Sequence, residues 1–575
     1  MRLDPYEPYE RAVRRLVSET LSAMGVSVVL DVERPDSQIA ADFAFPCFPL
    51  AKVLRKPPVA IAEELAAKIT PSPMVEKVFA EKGYLNFRID QVRLAKETLD
   101  AILDQKDGYG TLDEKGTRVL LEHTSVNPTG PIHIGRARNP IIGDTLARCL
   151  KRCGYEVRTE YLVNDVGKQV VLLSWGVENV PPSEINVASD RQKDDHLLVG
   201  YYQRANELLE SDPEVEKQIA EMLRRFEAGD EEVIRLVRRT TERMLAGIKS
   251  SLSEIGITLD GYTWESQFIL NGEARQVVER LKQTPYCHEE NGAYYLDLSE
   301  FGIHGRDTKF FFTRSDGTTL YTTRDIAYHL DKFRRADQLI NVLGEDQKLG
   351  LAHLAAALKV LGEKRAPENV FYAFVSLPEG RMSTRKGRVV YLDDLIDEAE
   401  ERALDEVRKR RTDLSEERMK HIAHDIGRGA LRFNIVRVQA EKALVFKWEE
   451  ALNFEGNSAP FLQYSHARCC SILRKAGEYK RIAAPELLVD EYERKLIRVL
   501  AQYPGVVRES GEKRRIHVMP AYGHEVASAF NQFYAYVPVL RSGGLQDARL
   551  SLVEATMWTL RSVLDSLGIA APEEM

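Results

Sequence analysis

The sequence has no long hydrophobic run and little cysteine. None of its segments approaches the roughly 18 consecutive apolar residues that a membrane-spanning helix needs. Its first residues, Met1–Asp4, lack the basic and then apolar profile of a secretory signal peptide, so we expect a cytoplasmic protein with no membrane partner. The six cysteines show no paired CxxC spacing, which argues against a disulfide framework and a zinc ribbon.

Neither the charge nor the composition is extreme. The net charge of −8 argues against a wholly basic nucleic-acid coat, but it leaves room for a local basic face. With 44% hydrophobic and 29% charged residues, the chain is neither collagen-like nor wholly disordered. Because a domain averages roughly 150 residues, the 575 residues predict about three or four domains.

Three stretches of different pattern predict the domain organisation. Residues 1–108 indicate a small α+β module. Residues 109–395 alternate strands with helices, which predicts an α/β fold with a parallel, Rossmann-type sheet. That alternation is interrupted at about 170–300 by an acid-rich insertion, which we predict to be helical. Residues 396–575 predict an α-helical bundle.

Local signals define the elements of the first module. Asp4 can cap a first helix, which Gly25 can end. A strand is predicted over 26–32 and a second helix over 57–69. Two further strands are predicted on either side of a turn that contains Gly83.

The most informative motif runs from Glu122 to Arg136, between a predicted strand and a predicted helix. Open parallel sheets bind their ligands at such a position. Gly135 lets a nucleotide approach the backbone, and the free N–H groups of the helix favour a phosphate. The imidazole of His133 can bind a phosphate oxygen. Taken alone, the motif is more often a loop histidine followed by a turn glycine.

A second motif is the glycine-flanked basic segment 377–387, which follows a strand. A mobile basic loop suits closure over a triphosphate, where positive charge stabilises displacement at phosphorus. Taken alone, the segment reads as a solvated basic loop. Its candidate functional residues are Arg381, Met382, Ser383, Arg385 and Lys386.

Together the two motifs resemble the paired signatures of class I aminoacyl-tRNA synthetases, and the surrounding residues resemble archaeal-type arginyl-tRNA synthetases. Further matching segments are Tyr161–Gln169, Ser315–Asp325 and Leu462–Arg468. The matches follow the family's order from about residue 118 to the C-terminus, whereas the first hundred residues match more loosely.

The resemblance implies a site for the guanidinium of arginine. Such a planar cation requires carboxylates at matching geometry. Asp325 stands where the family binds it, and Tyr321 lies on the same helix face four residues earlier. Without the family context, Asp325 beside Arg324 would suggest a surface ion pair. The resemblance also assigns Glu122 as additional negative charge, and Asn127 and Gln347 as ligands of the α-amino and α-carboxylate groups.

The resemblance further implies a reaction of arginine with ATP, followed by transfer to the terminal adenosine of tRNA(Arg). ATP with Mg²⁺ acts as substrate, and we expect neither a tightly bound cofactor nor a metal site. Catalysis would consist of positioning and charge stabilisation. The catalytic candidates are His133, Gly135, Arg136, Met382, Ser383, Arg385 and Lys386; the ATP-binding candidates are His133, Gly135, Arg381, Arg385 and Lys386.

The chain departs from the class pattern at three places. Arg136 stands where the first signature usually has histidine, and Arg381 and Thr384 stand where the second has lysines. Arg381, Arg385 and Lys386 are therefore all open as the cation that meets the phosphates. Pro140 lies inside the predicted signature helix, so we expect a kink there, unless Asn139 caps a helix that starts at the proline.

The helical C-terminal third resembles the family's anticodon-binding bundle. Tyr464 and Tyr534 are the aromatic candidates for stacking on tRNA bases. We expect a monomer. The altered signature residues Arg136 and Thr384 leave an alternative open, a catalytically silent tRNA-binding paralogue of the same fold.

Overall fold

The computed structural model describes residues 4–26, 32–33, 41–186, 191–376, 384–385 and 388–575, with the backbone alone described at 306–307, 384–385 and 388–389. An N-terminal module contains a three-stranded antiparallel sheet in the order β1-β3-β2. Its elements are α1 (Glu7–Ala23), β1 (Phe43–Pro46), α2 (Ala51–Leu54), α3 (Pro58–Lys68), β2 (Val75–Glu81), β3 (Tyr84–Ile89) and α4 (Gln91–Gln105).

The first helix follows from its sequence. The cap predicted at Asp4 is wrong, because the helix begins at Glu7 with Tyr6 at the N-cap position and has no side-chain cap. Asp4 instead accepts, through Oδ1, a hydrogen bond from the backbone N–H of Tyr6 at 3.1 Å just before the helix. Gly25, with φ of +74°, follows the last turn as predicted. One face packs into the module's core through Tyr9, Val13, Val17 and Leu21. The second predicted helix and the strand pair around Gly83 are also present, whereas most of the strand predicted over 26–32 lies outside the described residues.

The middle of the chain builds the central sheet. Its elements up to the last strand are β4 (Arg118–Glu122), α5 (Arg138–Arg152), β5 (Glu156–Val163), α6 (Lys168–Asn179), α7 (Asp194–Ser211), α8 (Pro213–Glu227), α9 (Glu231–Glu254), β6 (Gly261–Trp264), α10 (Gln267–Leu270), α11 (Glu273–Lys282), β7 (Cys287–Glu290), β8 (Ala293–Asp297), β9 (Lys309–Phe311), α12 (Tyr321–Arg335), β10 (Gln338–Gly344), α13 (Lys348–Val360) and β11 (Glu368–Tyr372).

The central sheet is parallel and doubly wound. Its strands follow the order β11-β10-β4-β5-β6, and each neighbouring pair runs in the same direction. From the central pair β4–β10, the chain therefore adds β5 and β6 on one side and β11 on the other. In such sheets the ligand crevice lies outside the carboxyl ends of the strands where the order reverses.

The insertion predicted to be helical over about 170–300 is mainly helical as far as Glu254, but beyond that residue it mixes strands with the helices α10 and α11. Strand β6 then joins the central sheet beside β5, and β7, β8 and β9 form a separate antiparallel sheet. The sequence did not reveal β6 because the strand has four residues and its side chains are only partly buried, so it shows neither a long apolar run nor a clear alternation.

The rest of the chain is mainly helical. Its elements are β12 (Val375–Ser376), β13 (Thr384–Arg385), β14 (Arg388–Val389), α14 (Leu392–Arg410), α15 (Glu416–Val436), β15 (Leu444–Val445), α16 (Trp448–Ala451), α17 (Ala459–Ala476), α18 (Glu491–Ala501), α19 (Tyr503–Glu512), α20 (Val518–Tyr536) and α21 (Gln546–Ser566). The predicted fold class is confirmed: an α+β module, a parallel-sheet domain and a helical bundle. Within the described ranges, no helix has the length and apolar character to cross a membrane.

A buried arginine joins four parts of this fold. Arg432 of α15 donates from Nε to the carbonyl of Leu567 at 2.8 Å and from Nη1 to the carbonyl of Ile255 at 2.9 Å. Its Nη2 donates to Asp144 of α5. Gly568 lies against the guanidinium, where a Cβ atom would fall 2.2 Å from Nη2. The signature helix α5 is thereby fixed to the C-terminal helices.

The kink expected at Pro140 is not needed. A short 3₁₀ turn over Ile134–Arg136 leads into α5, which begins at Arg138. Pro140 therefore lies in the first helical turn, where a backbone N–H has no intrahelical acceptor in any case. Asn139 does not cap the helix, since its side chain bonds to the strand ends described below.

Candidate active site

Asn139 lies at the point where the strand order reverses. Its Oδ1 accepts a hydrogen bond from the N–H of Thr124 after β4 at 2.7 Å, and its Nδ2 donates to the carbonyl of Val342 in β10 at 2.9 Å. Thr124 and Ser125 have positive φ values of 72° and 36°, so the chain bends sharply after β4. The buried amide thus fixes the start of α5 across the carboxyl ends of both strands.

The carboxylate of Glu122, at the end of β4, is paired within the protein. Its Oε2 accepts a hydrogen bond from Nζ of Lys332 at 2.7 Å, and its Oε1 accepts one from the hydroxyl of Ser125 at 3.0 Å. The Lys332 side chain is fully buried. Contrary to expectation, Glu122 therefore adds no uncompensated negative charge, because a lysine of α12 already neutralises it. Its assignment to the substrate site stays a prediction.

Asp325 has a different environment, although it lies on the same helix as Lys332. Its side chain is 40% exposed, and its Oδ1 lies 3.0 Å from Nδ1 of the buried His329. Burial raises the pKa of Asp325. His329 and Lys332 lower it by a larger amount, so the pKa lies below its ordinary value. Asp325 is thus an ionised, accessible carboxylate at neutral pH.

Arg324, the neighbour of Asp325 in the sequence, is bound elsewhere. Its Nε donates to Oε1 of Glu265 at 2.5 Å, and both side chains are buried. Burial raises the pKa of Glu265, and the contact with Arg324 opposes that rise. Glu265 could not be recognised from the sequence, because it follows the unrecognised strand β6. The pair means that Arg324 does not neutralise Asp325.

The other candidates for arginine binding lie on elements that begin or end near this crevice. Tyr321 is the first residue of α12, one turn before Asp325, and is 70% exposed. Asn127 follows β4, and Gln347 follows β10; both are exposed. No hydrogen bond joins these three side chains to one another or to Asp325 in the part of the chain that the structure describes. Their roles stay predictions.

The His133 segment pairs with the start of α14. His133 forms an isolated β-bridge with Tyr391. The N–H of Ile134 donates to the carbonyl of Val390 at 3.0 Å, and that of Leu392 donates to the carbonyl of Ile132 at 2.7 Å. Burial and the charge of Arg136 lower the pKa of His133. His133 is therefore a neutral imidazole at the entrance to α5, and Gly135 is buried beside it.

Arg138 is a buried cation of the signature helix that the sequence analysis did not single out. Burial lowers its pKa to about 10, so it remains charged at neutral pH. Arg136, the predicted catalytic residue, is only half-buried. The guanidinium of Arg138 donates to the backbone carbonyls of Ala373, Val438, Gln439 and Lys442 at 2.7–3.2 Å. The side chain thus fastens α5 to the end of the sheet and to the segment that enters the C-terminal helices.

The second signature lies largely outside the described residues. Thr384 and Arg385 form β13, which pairs with β14 in an antiparallel ladder, and only their backbone is described. The four other candidates of this segment, which fall outside the described residues, are Arg381, Met382, Ser383 and Lys386. Their roles stay predictions.

A buried charged cluster supports the start of α14. Nε2 of His196 lies 2.8 Å from Oδ2 of Asp393, and Nζ of Lys193 lies 3.0 Å from the same oxygen. Asp195 completes a set of side chains that could hold a metal ion. Burial raises the pKa of Asp393, but His196 and Lys193 bring it far below its ordinary value. Since Lys193 already supplies positive charge, the cluster is suited to joining α7 to α14.

The two tyrosines proposed for tRNA contact lie on one exposed patch. Tyr464 of α17 is 40% exposed and Tyr534 of α20 is 39% exposed. The guanidinium carbon of Arg468 is 4.7 Å from the Tyr464 ring centre and 5.5 Å from that of Tyr534. An arginine between two accessible aromatic rings is suited to stacking on bases.

Comparison with known families accounts for nearly the whole chain. The model described as "tRNA synthetases class I (R), catalytic domain" matches residues 98–448. The model described as "DALR anticodon binding domain" matches residues 462–575. The model described as "Arginyl tRNA synthetase N terminal domain" matches residues 11–89.

Individual proteins agree with these matches. The chain is 46% identical over 567 residues to an arginine–tRNA ligase from Methanocella arvoryzae, covering 98% of both chains. It is 42% identical over 541 residues to an arginine–tRNA ligase from Methanocaldococcus jannaschii, covering 92% of this chain and 93% of the relative. The solved structure of Thermus thermophilus arginyl-tRNA synthetase superimposes with a TM-score of 0.83 at 31% identity, covering 98% of this chain and 100% of that one.

Proposed function

The chain belongs to the arginyl-tRNA synthetase family, and on that premise we propose that it is an arginine–tRNA ligase. In the first step, the carboxylate of L-arginine attacks the α-phosphorus of ATP and pyrophosphate leaves. In the second, a hydroxyl of the terminal adenosine of tRNA(Arg) attacks the arginyl carbonyl and AMP leaves. ATP enters as a substrate with Mg²⁺, and the reaction needs no tightly bound cofactor.

The observation that carries the arginine assignment is the distribution of charge on α12. Lys332 is paired with Glu122, and Arg324 is paired with Glu265. Asp325 is left as an accessible carboxylate beside an imidazole. A guanidinium that approaches Asp325 therefore meets an anion that forms no direct ion pair with a lysine or arginine of α12. We assign Asp325 as the guanidinium ligand, with Tyr321 on the same helix face.

The rest of the arginine site follows from position along the sheet. Asn127 and Gln347 follow β4 and β10, the two strands between which the order reverses, and we assign them to the α-amino and α-carboxylate groups. Glu122 acts through its buried pair with Lys332, which holds the end of β4 against α12.

ATP binds at the start of α5 in this proposal. The neutral imidazole of His133 donates a hydrogen bond to a phosphate oxygen, and Gly135 permits close approach. Arg136 adds positive charge at the helix entrance. Met382 and Ser383, with the cations Arg381, Arg385 and Lys386 of the second signature, act on the triphosphate. No residue forms a covalent intermediate, so catalysis rests on positioning and charge stabilisation.

The tRNA is held by the two outer parts of the chain. We assign Tyr464 and Tyr534, with Arg468 between them, to base stacking by the C-terminal bundle. As domains we propose the tRNA-contacting module 1–108, the catalytic domain 109–395, and the connecting and anticodon-binding domain 396–575. The enzyme acts as a cytoplasmic monomer.

Arginylation of tRNA by the full-length chain tests the proposal. The reaction contains ATP, Mg²⁺, labelled arginine and tRNA, and the measured product is acid-precipitable arginyl-tRNA. Pyrophosphate exchange is measured with and without tRNA. Folded protein that binds tRNA but forms no arginyl-tRNA and consumes no ATP would contradict the proposal and identify a silent paralogue.

A further inference from the structure

The buried amide of Asn341 in β10 has a defined orientation. Its Oδ1 lies 3.0 Å from Nζ of Lys332, and an ammonium can only donate. The oxygen of the amide must therefore point to Lys332. The two hydrogens on Nδ2 are then directed to Oδ1 of Asn369 at 3.1 Å and to Nε2 of His329 at 3.2 Å. Every polar group of this amide has a partner.

This orientation fixes one nitrogen of His329 as an acceptor. Because the NH₂ group of Asn341 donates to it, Nε2 of the imidazole carries no proton. A protonated Nε2 would direct its N–H at the hydrogens of that amide. Lys332 thus determines, through the amide of Asn341, which nitrogen of the imidazole ring carries no proton.

The other nitrogen of His329 is fixed as a donor. Nδ1 lies 2.9 Å from the backbone carbonyl of Asp325 and 3.0 Å from its carboxylate Oδ1. Both atoms are acceptors, so Nδ1 must carry the proton. The Nδ1 side requires a proton on Nδ1, and the Nε2 side excludes one on Nε2, so the two sides together leave a neutral imidazole with its proton on Nδ1.

We propose that His329 is a positioning residue for arginine, held as the neutral Nδ1–H tautomer by Lys332 and Asn341 so that it orients the carboxylate of Asp325 without neutralising it. The inference rests on the proposed function, since it deepens the assignment of Asp325. An imidazolium would place a positive charge 3.0 Å from Oδ1 and would repel an incoming guanidinium. A neutral N–H donor holds the carboxylate in place and leaves its full charge to the substrate.

Two substitutions of His329 separate this role from simple packing. In His329→Asn, the amide nitrogen can take the position of Nδ1 and still donate to Asp325. In His329→Gln, the amide lies nearer the position of Nε2, so the donor to Asp325 is lost. We expect the KM for arginine to rise no more than about 3-fold in the first variant and about 10- to 100-fold in the second, as for loss of a hydrogen bond to a charged group.

The readout is the KM for arginine and the KM for ATP in tRNA charging, measured for each variant. The KM for ATP should stay within about 2-fold of the wild-type value, because Asp325, the residue that His329 positions, is assigned to arginine and not to ATP. His421→Asn is the matched control, since this residue is 63% exposed on α15. Equal effects of His329→Asn and His329→Gln on arginine, or an equal rise in the KM for ATP, would overturn the proposal.

Nitrogen NMR tests the tautomer without reference to activity. In the full chain labelled with ¹⁵N-histidine, we expect a neutral Nδ1–H pattern near pH 7 that disappears in His329→Asn, or in His329→Gln if the first variant does not fold. An Nε2–H or imidazolium pattern at that position would overturn the proposal. Failure of the wild-type chain to charge arginine would instead refute the proposed function and leave the tautomer result standing.

Discussion

Glu122 and Asp325 are acidic residues of one crevice, yet their surroundings differ. Glu122 ends a buried strand, its side chain is 9% exposed, and a buried lysine lies 2.7 Å from it. Asp325 belongs to a helix, its side chain is 40% exposed, and its Oδ1 lies 3.0 Å from Nδ1 of an imidazole. The carboxylate of Glu122 is already paired within the fold, whereas the carboxylate of Asp325 remains available to a ligand.

This difference shows that counting the acidic residues near a site does not tell how much negative charge is available to a ligand. Glu122 and Lys332 are 210 residues apart in the chain, so the sequence could not reveal that they cancel one another. A buried ion pair contributes little net stability but is costly to break. We therefore expect substitutions at Asp325 to affect arginine and substitutions at Glu122 and Lys332 to affect folding.

The largest expected effect is on arginine use by Asp325→Ala. Removal of the carboxylate leaves the guanidinium without its counter-ion, so kcat/KM for arginine should fall by about 3–5 kcal/mol in transition-state free energy, the scale for breaking a buried charge pair. The KM for ATP should change little. The measurement is tRNA charging at varied arginine concentrations.

Asp331→Ala is the matched control for that experiment. Asp331 lies on the same helix, but it pairs with Arg334 and Arg335 outside the crevice. This variant should keep the wild-type KM for arginine. Near-normal arginine affinity in Asp325→Ala would rule out the assignment of Asp325.

The next effect is on stability, through Lys332→Met. This change leaves the Glu122 carboxylate buried without its cation, so the free energy of unfolding should fall by about 3 kcal/mol. The double variant Glu122→Gln/Lys332→Met should recover a large part of that loss, because no charge is then left unpaired. The measurement is urea unfolding at neutral pH. A double variant as unstable as Lys332→Met would contradict the pairing.

The pH dependence of stability gives the third effect, through the buried neighbour of Glu122. Burial lowers the pKa of His123 from 6.5 to about 4. Between these values the unfolded chain binds more protons than the folded chain, so stability falls as the pH decreases. His123 should lower the free energy of unfolding by about 2 kcal/mol as the pH falls from 6.5 to 5.

His123→Gln isolates that contribution from those of other titrating groups. Its free energy of unfolding, subtracted from that of the wild-type chain, should show a wild-type advantage at pH 7.5 that shrinks toward pH 5. The measurement is urea unfolding across this range. A difference that does not change with pH would mean that His123 has an ordinary pKa in the folded state.

The smallest effect is expected far from the crevice, at Tyr464→Ala and Tyr534→Ala. Loss of a stacking surface should weaken tRNA binding by about 1 kcal/mol for each variant, and the KM for arginine at saturating tRNA should not change. Filter binding of tRNA at fixed salt measures the effect. Tyr536→Ala is a comparison on the same helix, at an exposed tyrosine that stacks on Tyr492. Equal losses of tRNA affinity in all three variants would show that Tyr464 and Tyr534 contribute no more to tRNA binding than another exposed tyrosine.

The sequence predicted the features that local chemistry determines. Helix α1 follows from its spacing of apolar residues, and the four-residue spacing of Tyr321 and Asp325 put both on one helix, as observed. Strands β4 and β10 are long and apolar enough to be recognised without a structure. The fold class followed from their alternation with helices.

What the sequence could not predict depends on contacts between distant residues. Strand β6 is recognised only by its pairing with β5, and Glu265 was missed with it. The kink expected at Pro140 was wrong because the start of α5 depends on the preceding 3₁₀ turn. The state of His329 follows from Asn341 and Lys332, whose relative placement no local pattern encodes.

Discrimination between arginine and citrulline tests the central claim most directly. Citrulline keeps the length and shape of arginine but replaces the charged guanidinium with a neutral ureido group. In tRNA charging by the full-length chain with ATP, an uncompensated Asp325 carboxylate predicts kcat/KM at least ~1000-fold higher for arginine, as for a site built around a specific polar partner. Charging of citrulline within about tenfold of arginine would contradict the account, since a cation and a neutral side chain would then bind almost equally.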